Sequence, residues 1–504
     1  MKDDSRFAVN NQNGERKHME NELILALPGR HCAVTLIKLN DATDIHNNPV
    51  QTLRYAPHYV SRVSGKLFIV ESAVDAKALV IKAEAPDCDD ITVILERSRV
   101  VIETLGYEVR YQYCEAKNAH KTLRGLFDKP VSLFTMVNNW GDLGRGANIS
   151  EAFYLREIDA AADTGADALQ IDDGWQIGSS SQARIMDENG VYTGYHAFDG
   201  DFWLTDTVKF PNGLKRICDY AAQKGVVMGL WFAPDSRNHF ANFARDLAVI
   251  QNAYSEGFRC FKLDMVVIKD REDRTIFRSF MKSVRDLGPD VSVQIDVTGA
   301  VPRLGFTDGT DLGVLFAENR YCRRDDYYPA STLTNLWQLS HYIPAQVFQF
   351  EIPNRRKNAQ DYEPGDPLAP SLYSADYQFA SVMVSNPLLW MEIQHLDKED
   401  REQMKPIIAL WKRIRGDIAA SDIEPVGRNA DGCETCGFFV RGKERSYLIV
   451  LSGCAGAGSV EAAAGTAVSV ELLCANCACS CTEKDGILTA TLASARAYAA
   501  FLIK

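Results

Sequence analysis

The sequence lacks any long apolar run: no stretch reaches the roughly 18 uninterrupted apolar residues that a membrane-spanning helix needs. Its first residues, Met1-Lys2-Asp3-Asp4, are polar, and no apolar segment typical of a secretory signal follows them. We therefore expect a cytoplasmic protein with no membrane partner.

Positive charge is also in short supply. The chain has 55 lysine and arginine residues against 67 aspartate and glutamate residues, which gives a formal net charge of −12 and an isoelectric point near 5.4. Such a balance argues against a nucleic-acid-binding surface. A neutral or weakly polar substrate is the better expectation.

Cysteine is too sparse for a disulfide-stabilised scaffold, with 13 residues in a chain of 504. Two C-x2-C pairs, which begin at Cys433 and Cys474, have the spacing of zinc ligands but lie outside a recognisable zinc-ribbon pattern. Strand alternation would instead place Cys477, Cys479 and Cys481 on one apolar face. We therefore expect no metal and no cofactor, and a structural zinc site is the alternative.

Hydrophobic patterning divides the chain into three domains. Residues 1–127 and 419–504 contain short β-branched segments bounded by polar turns, which predict β-sandwich domains. Residues 128–418 alternate apolar strand candidates with amphipathic helices, and eight such strands fit a (β/α)8 barrel. The expected fold class is therefore α/β, a (β/α)8 barrel flanked by an N-terminal and a C-terminal β-sandwich domain. The strand candidates end near Val137, Ile171, Phe232, Leu263, Ile295, Phe316, Phe350 and Met391.

Polar residues at the C-terminal ends of barrel strands are the candidates for chemistry, because barrel enzymes carry their active sites there. The second strand candidate is followed by Asp172-Asp173-Gly174-Trp175, and Trp140 follows the first. Paired carboxylates can accept hydrogen bonds from neighbouring sugar hydroxyls, while an indole face packs on a sugar ring. A turn or a helix N-cap without a ligand is the alternative interpretation of Asp-Asp-Gly.

The fourth strand candidate carries Lys262 and Asp264 two residues apart, so both are expected to point into the barrel. The lysine would keep the carboxylate ionised, which attack on an anomeric carbon requires. A buried structural ion pair would give the same spacing. Trp231, in the third strand candidate, is a candidate for the pocket wall or for the core.

A third group of charges follows the sixth strand candidate, where Arg323 and Arg324 precede Asp325 and Asp326. One of these carboxyls could face Asp264 across the barrel mouth and act as a general acid. The arginines would lower the pKa of an aspartate, and the neighbouring carboxylate would raise it. A solvated charged loop is the alternative.

Taken in order, these segments resemble the melibiase-type α-galactosidases, a family that includes the raffinose synthases. The resemblance covers about residues 131–415. Ile171–Trp175 is similar to the family's substrate-binding DDGW segment, and Phe210–Leu214 with Gly229–Phe232 is similar to its FPNGL and GLWF segments. Lys262–Met265 resembles its K-x-D nucleophile strand.

The resemblance implies a retaining α-glycoside hydrolase that cleaves a terminal α-linked hexose. Asp264 would be the nucleophile, and Asp325, which matches the first aspartate of the family's SDD segment, would be the general acid/base. The implied partner is an oligosaccharide or glycoside substrate, and a homo-oligomer is compatible with the sequence. The implied sugar-binding residues are Asp172, Asp173, Trp175, Trp231, Lys262, Arg303, Asp326 and Trp140.

The chain departs from the family at the turn after the fifth strand, where Val297–Arg303 replaces a Cys-Ser-Gly-Gly-Gly segment that ends in arginine. The added side chains would reshape the wall of the sugar pocket. Three alternatives therefore stay open beside an α-galactosidase. They are a glycosidase for an amino, N-acetylamino or acidic galactose, a transglycosylase of the raffinose-synthase kind, and a non-catalytic sugar-binding relative.

Overall fold

The computed structural model describes residues 21–41, 43, 48–56, 61–142, 145–178, 201–299, 301–322, 326–428, 430–465 and 469–504. Two antiparallel sheets come first, a closed parallel barrel follows, and two further antiparallel sheets complete the described chain. The predicted α/β class, a (β/α)8 barrel between two β domains, is confirmed.

The N-terminal domain consists of two antiparallel sheets around an apolar core. Its strands are β1 (Glu22–Ala26), β2 (Cys32–Leu39), β3 (Val50–Tyr55), β4 (Ser61–Gly65), β5 (Leu67–Ser72), β6 (Lys77–Ala83), β7 (Ile91–Leu95), β8 (Arg99–Glu103) and β9 (Val109–Glu115). One sheet has the order β3-β2-β5-β6-β9 and the other has the order β1-β8-β7-β4. Alternate apolar side chains such as Phe68, Val93 and Ile102 meet between them.

Eight parallel strands form the barrel. They are β10 (Met136–Asn138), β11 (Ala168–Ile171), β12 (Val227–Phe232), β13 (Cys260–Leu263), β14 (Ser292–Asp296), β15 (Val314–Phe316), β16 (Phe348–Ile352) and β17 (Asn386–Trp390). Each strand pairs with the next along the chain, and β17 pairs with β10. Every predicted strand end lies within two residues of the observed one, because the strands are short, mostly buried and mostly apolar runs.

Amphipathic helices connect most of the barrel strands. The helix that follows β10 begins after Ser150, whose hydroxyl accepts a hydrogen bond from the Phe153 N–H at 3.2 Å, and it ends at Gly165 with a φ of 89°. In the described part of the chain, no helix is long and apolar enough to cross a lipid bilayer. The described α-helices are Ala119–Arg124, Glu151–Thr164, Gly213–Lys224, Phe243–Glu256, Arg271–Arg285, Pro329–Leu339, Ala375–Val382 and Lys398–Ala420.

A row of buried amides crosses the barrel interior. Asn138 donates a hydrogen bond to Gln170 at 2.7 Å, Gln170 donates to Gln294 at 2.6 Å, and Gln294 donates to Gln349 at 2.9 Å. Because an amide can donate and accept at once, these side chains form one hydrogen-bonded row without a charged group among them. Two positions beyond Gln170 and Gln294 the chain leaves the barrel, and the charged side chains of the barrel mouth lie there.

The C-terminal domain again contains two antiparallel sheets. Its strands are β18 (Asp422–Gly427), β19 (Thr435–Arg441), β20 (Ser446–Ser452), β21 (Gly458–Ala463), β22 (Val470–Ala475), β23 (Cys479–Lys484), β24 (Ile487–Leu492) and β25 (Tyr498–Ile503). Their orders are β18-β19-β20-β25-β22 and β21-β24-β23. Cys477, Cys479 and Cys481 pack against the core of this domain, which confirms the prediction of an apolar face. The domain limits at residues 127 and 418 stay predictions.

Candidate active site

Lys262 is the centre of a charged group at the barrel mouth. Its ammonium nitrogen is 3.3 Å from Asp172, 3.5 Å from Asp296 and 3.6 Å from Asp264. Burial would lower the pKa of this lysine, but the three carboxylates outweigh burial and raise it above its ordinary value. The lysine is therefore charged, and it ties together the ends of β11, β13 and β14.

Asp264 directly follows β13 and is held as an anion. The Trp231 Nε1–H donates to its Oδ2 at 2.9 Å, and the backbone N–H of Met265 donates to its Oδ1. Burial alone would raise the pKa of the carboxyl, but the charges of Lys262 and Arg303 outweigh it and lower the pKa below its ordinary value. The side chain is 17% exposed, so a ligand in the barrel mouth can reach it.

The backbone just after this carboxylate adopts an unusual conformation. Met265 has a φ of 55°, in the left-handed region, which is sparsely populated by residues with a side chain. Such conformations cost free energy and cluster at functional sites. Here the conformation accompanies the hydrogen bond from the Met265 N–H to Asp264.

Asp172 and Asp173 follow β11 and make different contacts. Asp172 accepts hydrogen bonds from the Asn138 amide at 2.7 Å and from the backbone N–H of Asp173 at 2.8 Å. Asp173 accepts a hydrogen bond from the Gln176 amide at 2.7 Å. A carboxylate has about four acceptor positions, so both groups can still accept hydrogen bonds from ligand hydroxyls. The structure therefore places Asp172 beside Lys262, and Asp173 is the next residue along the chain.

Two buried tryptophans lie next to one another on the β12 side of the barrel mouth. Trp231 is buried and donates its indole hydrogen bond to Asp264, so it belongs both to the core and to the site. The Trp175 Nε1–H donates to the backbone carbonyl of Trp231 at 3.0 Å. Trp203, which the motifs did not identify, lies between them, with its ring centroid 6.0 Å from each of the other two.

Aromatic rings also cover the ammonium group of Lys262 from the opposite side. The ring centroids of Phe316 and Trp390 are 4.9 Å and 5.2 Å from its nitrogen, which is a favourable cation–π geometry. Trp140 is partly buried and packs against the same aromatic cluster. Among the predicted aromatic residues, Trp231 thus contacts Asp264 directly, and Trp140 packs with the rings that cover Lys262.

Arg303 lies in the turn after β14. Its guanidinium donates to the backbone carbonyl of Val266 at 3.1 Å, and its charge helps to lower the pKa of Asp264. Asp87 of the N-terminal domain accepts a hydrogen bond from the Arg303 N–H at 3.2 Å and returns one from its own N–H to the Arg303 carbonyl at 2.8 Å. The N-terminal domain therefore fixes the turn that brings this cation towards Asp264.

Asp296 is a site residue that the motifs did not identify. It is the last residue of β14, it is buried, and its Oδ1 accepts hydrogen bonds from the Thr298 N–H at 2.9 Å and the Thr298 hydroxyl at 2.7 Å. Burial and the charge of Asp264 raise the pKa of Asp296 to about 7. Strand alternation could have identified it, since Gln294 on the same strand also points inward.

The loop after β15 carries the predicted acid/base pair. Asp325, together with Arg323 and Arg324, lies outside the described residues, whereas Asp326 is described and exposed. The assignment of Asp325 as the general acid/base therefore stays a prediction.

Hydrogen bonds from the loop after β16 hold both ends of this acid/base loop. Asn358 donates to the backbone carbonyl of Cys322 at 2.7 Å, and the Tyr362 hydroxyl donates to the backbone carbonyl of Tyr327 at 2.7 Å. Neutral groups thus fix the loop on either side of its charged residues.

Glu318 and Glu351 form a second buried carboxyl pair next to the acid/base loop. Burial and the neighbouring Glu318 raise the pKa of Glu351 well above its ordinary value. Glu318 accepts hydrogen bonds from the Thr332 hydroxyl at 2.7 Å and from the Asn335 amide. These contacts attach β15 to the helix Pro329–Leu339, which follows the loop.

The variant Asp296→Asn tests the crowding of these charges through the pH dependence of stability. In the unfolded chain this carboxyl has the ordinary aspartate pKa of about 3.9. In the folded protein its pKa is raised to about 7. Between these values the native state binds more protons, so this contribution to stability is lost as the pH rises. We expect the thermal unfolding midpoint of the variant, relative to wild type, to rise by a few degrees from about pH 5 to about pH 8.

Thermal unfolding at a series of pH values measures this difference. Asp90→Asn is the matched control, because Asp90 is exposed and its difference from wild type should not change with pH in the same way. A constant difference for Asp296→Asn would show that Asp296 does not ionise in this range.

Comparison with known proteins begins with sequence. No protein-family model matches the chain. α-Galactosidase 2 of Pediococcus pentosaceus is 29% identical over 110 residues, and α-galactosidase Mel36A of Lactobacillus acidophilus is 30% identical over 111 residues. Each match covers 22% of this chain and spans only 13% of the relative's length.

Similarity to solved structures extends over nearly the whole chain. The GH36 α-galactosidase AgaA from Geobacillus stearothermophilus matches with a TM-score of 0.64 and 14% identity, over 98% of this chain and 78% of that one. The α-galactosidase from Lactobacillus brevis matches with a TM-score of 0.62 and 11% identity, over 94% and 75% of the two chains. The chain therefore has the fold of the GH36 α-galactosidases, and the resemblance to the melibiase-type family that its motifs indicated is confirmed.

Proposed function

We propose that this chain is a retaining α-glycoside hydrolase of the α-galactosidase type, which removes a terminal α-linked hexose from an oligosaccharide or glycoside. The observation that carries the proposal is the state of Asp264, a reachable carboxylate at the end of a central strand that Lys262 and Arg303 keep ionised. A nucleophile for an anomeric carbon must be ionised at working pH and shielded from water. The α-galactosidases that share the fold support the reaction class.

The first chemical step is attack of Asp264 on the anomeric carbon. A protonated carboxyl on the loop after β15, assigned to Asp325, gives its proton to the glycosidic oxygen as the bond between that oxygen and the anomeric carbon breaks. The product is a covalent glycosyl-enzyme ester. In the second step the same loop carboxyl, now ionised, takes a proton from water, and the water oxygen displaces Asp264. Two displacements give net retention of configuration.

The charge of Lys262 suits both steps. When Asp264 becomes an ester it loses its charge, and Lys262 still has Asp172 and Asp296 within 3.5 Å. The ammonium group therefore stays paired throughout the cycle, so it does not have to be solvated in the covalent intermediate. The hydrogen bond from Trp231 to Asp264 Oδ2 would orient the attacking carboxylate.

Sugar binding is assigned to the groups that surround Asp264. The carboxylates of Asp172 and Asp173 would accept hydrogen bonds from neighbouring hydroxyls, and Lys262 and Arg303 would donate to sugar oxygens. Indole faces would pack against the apolar face of the ring. These roles would fall to Trp140, Trp175 and Trp231, and the exposed Asp326 is proposed as a further sugar-binding residue.

A glycosidase for a modified galactose is the second candidate. In the turn after β14, the N–H and the hydroxyl of Thr298 donate hydrogen bonds to the buried Asp296. The resembling family has a cysteine, a serine and glycines in this turn, so the wall of the sugar pocket differs here. A panel of aryl α-glycosides of galactose, galactosamine, N-acetylgalactosamine and galacturonic acid distinguishes the two candidates by relative kcat/KM.

Product analysis tests the reaction type with the wild-type chain. Proton NMR of the freshly released sugar should show the α anomer first, because the mechanism retains configuration. Excess acceptor sugar separates a hydrolase from a transglycosylase by the share of transfer product. Binding of sugar without any turnover would identify a non-catalytic relative and contradict the proposal.

Asp264→Asn should abolish turnover. We expect kcat to fall by at least about a thousandfold, because the amide cannot form the glycosyl ester. Folding and D-galactose binding, measured by thermal unfolding and calorimetry, should be largely kept. Asp219→Asn is the control for the same substitution, since Asp219 is exposed on a helix and pairs with Lys215. Retention of more than a few per cent of activity by Asp264→Asn would exclude Asp264 as the nucleophile.

Asp325→Ala should separate the two roles of the acid/base. An activated aryl glycoside needs no proton on its leaving group, so it should still glycosylate the enzyme, whereas a natural glycoside should not react. The second step then lacks its base, and external azide should restore turnover by attacking the glycosyl-enzyme directly. Asp326→Ala is the matched variant. If azide rescues Asp326→Ala and not Asp325→Ala, the acid/base is Asp326.

A further inference from the structure

Cys433 and Cys454 lie side by side at the open end of the β19–β20 hairpin. Their sulfur atoms are 3.7 Å apart. Backbone hydrogen bonds hold the two segments together, from the Cys454 N–H to the Gly432 carbonyl at 2.8 Å and from the Ala455 N–H to the Cys433 carbonyl at 3.2 Å. Cys433 is exposed and Cys454 is half-buried, so a small oxidant can reach the pair.

Other cysteines of the C-terminal domain are placed differently. Cys436, the C-x2-C neighbour of Cys433, is buried, and burial raises the pKa of its thiol to about 12. Cys479 and Cys481 pack against the apolar core of the domain. The close contact of Cys433 is therefore with Cys454, which the sequence spacing did not indicate.

The segment that carries Cys433 supports the helix Pro329–Leu339, which begins just after the acid/base loop. A Cβ atom added to Gly432 would lie only 2.8 Å from the Ala330 side chain, so these two segments of the chain pack closely against each other. The Thr334 hydroxyl donates a hydrogen bond to the backbone carbonyl of Ala430. Both contacts reach the N-terminal half of that helix.

The segment that carries Cys454 supports the other side of the same region. The Arg496 N–H donates to the Gly453 carbonyl at 3.0 Å, and the Arg496 guanidinium donates to the Pro367 carbonyl at 2.6 Å. Asp366, the residue before Pro367, accepts a hydrogen bond from the Tyr328 hydroxyl at 2.9 Å. The segment of each cysteine is thus connected to the beginning of the helix Pro329–Leu339, directly for Cys433 and through Arg496 and Pro367 for Cys454.

We propose that Cys433 and Cys454 form a reversible disulfide that links these two segments covalently. With a low-molecular-weight disulfide such as oxidised glutathione, one cysteine thiolate attacks a glutathione sulfur and releases one glutathione thiol. The second cysteine thiolate then displaces the other glutathione. The two protein thiols are oxidised to one disulfide, the glutathione disulfide is reduced to two thiols, and the two protons pass from protein to glutathione.

The cross-link should stabilise the folded chain. It would close the loop formed by the β19–β20 hairpin, which restricts the unfolded ensemble. It would also hold the contacts at Ala330 and Pro367 in place together, which should suppress local opening of the helix Pro329–Leu339. Oxidation of this cysteine pair should therefore increase the stability of the folded chain, independently of the reaction at Asp264.

Peptide mapping and hydrogen exchange on the full chain test this inference. After incubation with oxidised glutathione at about pH 8.5, where more thiolate forms, we expect a peptide that links Cys433 to Cys454 and disappears on reduction. The oxidised protein should unfold at a temperature higher by a few degrees, and the helix amides should exchange several-fold more slowly. The neighbouring Cys454 raises the pKa of Cys433, so the reaction should be slower near neutral pH.

Serine variants provide the controls. Cys433→Ser and Cys454→Ser should each lose the linked peptide and the oxidation-dependent shift, while Cys88→Ser, which removes an exposed cysteine of the N-terminal domain, should behave as wild type. Mixed glutathione disulfides on both cysteines without a link would overturn the proposal. A linked peptide without any change in unfolding temperature or helix exchange would overturn its stabilising role. Neither readout depends on glycosidase activity.

Discussion

The buried ammonium group of Lys262 is the interaction on which the barrel mouth depends. Three carboxylates lie within 3.6 Å of it, and they would repel one another strongly in a site with little water. Burial and the charge of Asp264 raise the pKa of Asp296 to about 7, whereas the charges of Lys262 and Arg303 lower the pKa of Asp264. The charged network therefore favours the ionised form of Asp264, which is the form that the proposed reaction needs.

The N-terminal domain takes part in the site through the turns that it holds. Asp87 fixes the backbone of Arg303, and Thr43 exchanges hydrogen bonds with the start of the acid/base loop, at Ala317 and Arg320. Both contacts join residues more than 200 positions apart in the chain. The β domain thus helps to set the position of a cation on one side of the mouth and of a loop on the other.

Local patterns explain which parts of this arrangement could be predicted. Short apolar runs predicted all eight barrel strands. Period-two alternation correctly predicted that Lys262 and Asp264 point towards the barrel interior. Asp296 obeys the same alternation but lacks a motif, so the motif comparison passed over it. The sharing of Lys262 by three strands, and the support of Arg303 by Asp87, could not be predicted because they depend on contacts between distant segments. Asp325 stays a prediction.

The two carboxyl groups of a retaining glycosidase need opposite environments, because one must stay ionised and the other must carry a proton. Cations surround Asp264, on a strand end held by an indole and a backbone N–H. Just before the acid/base loop in the chain, Arg320 lies 3.5 Å from Glu318, and burial together with Glu318 raises the pKa of Glu351 well above its ordinary value. Neighbouring carboxyl groups would raise the pKa of the proposed acid Asp325, whereas Arg323 and Arg324 in the same loop would lower it, so the proposed role requires the first effect to outweigh the second. An anion held at a strand end and an acid carried on a loop would give the two carboxyl groups the different environments that the proposed mechanism needs.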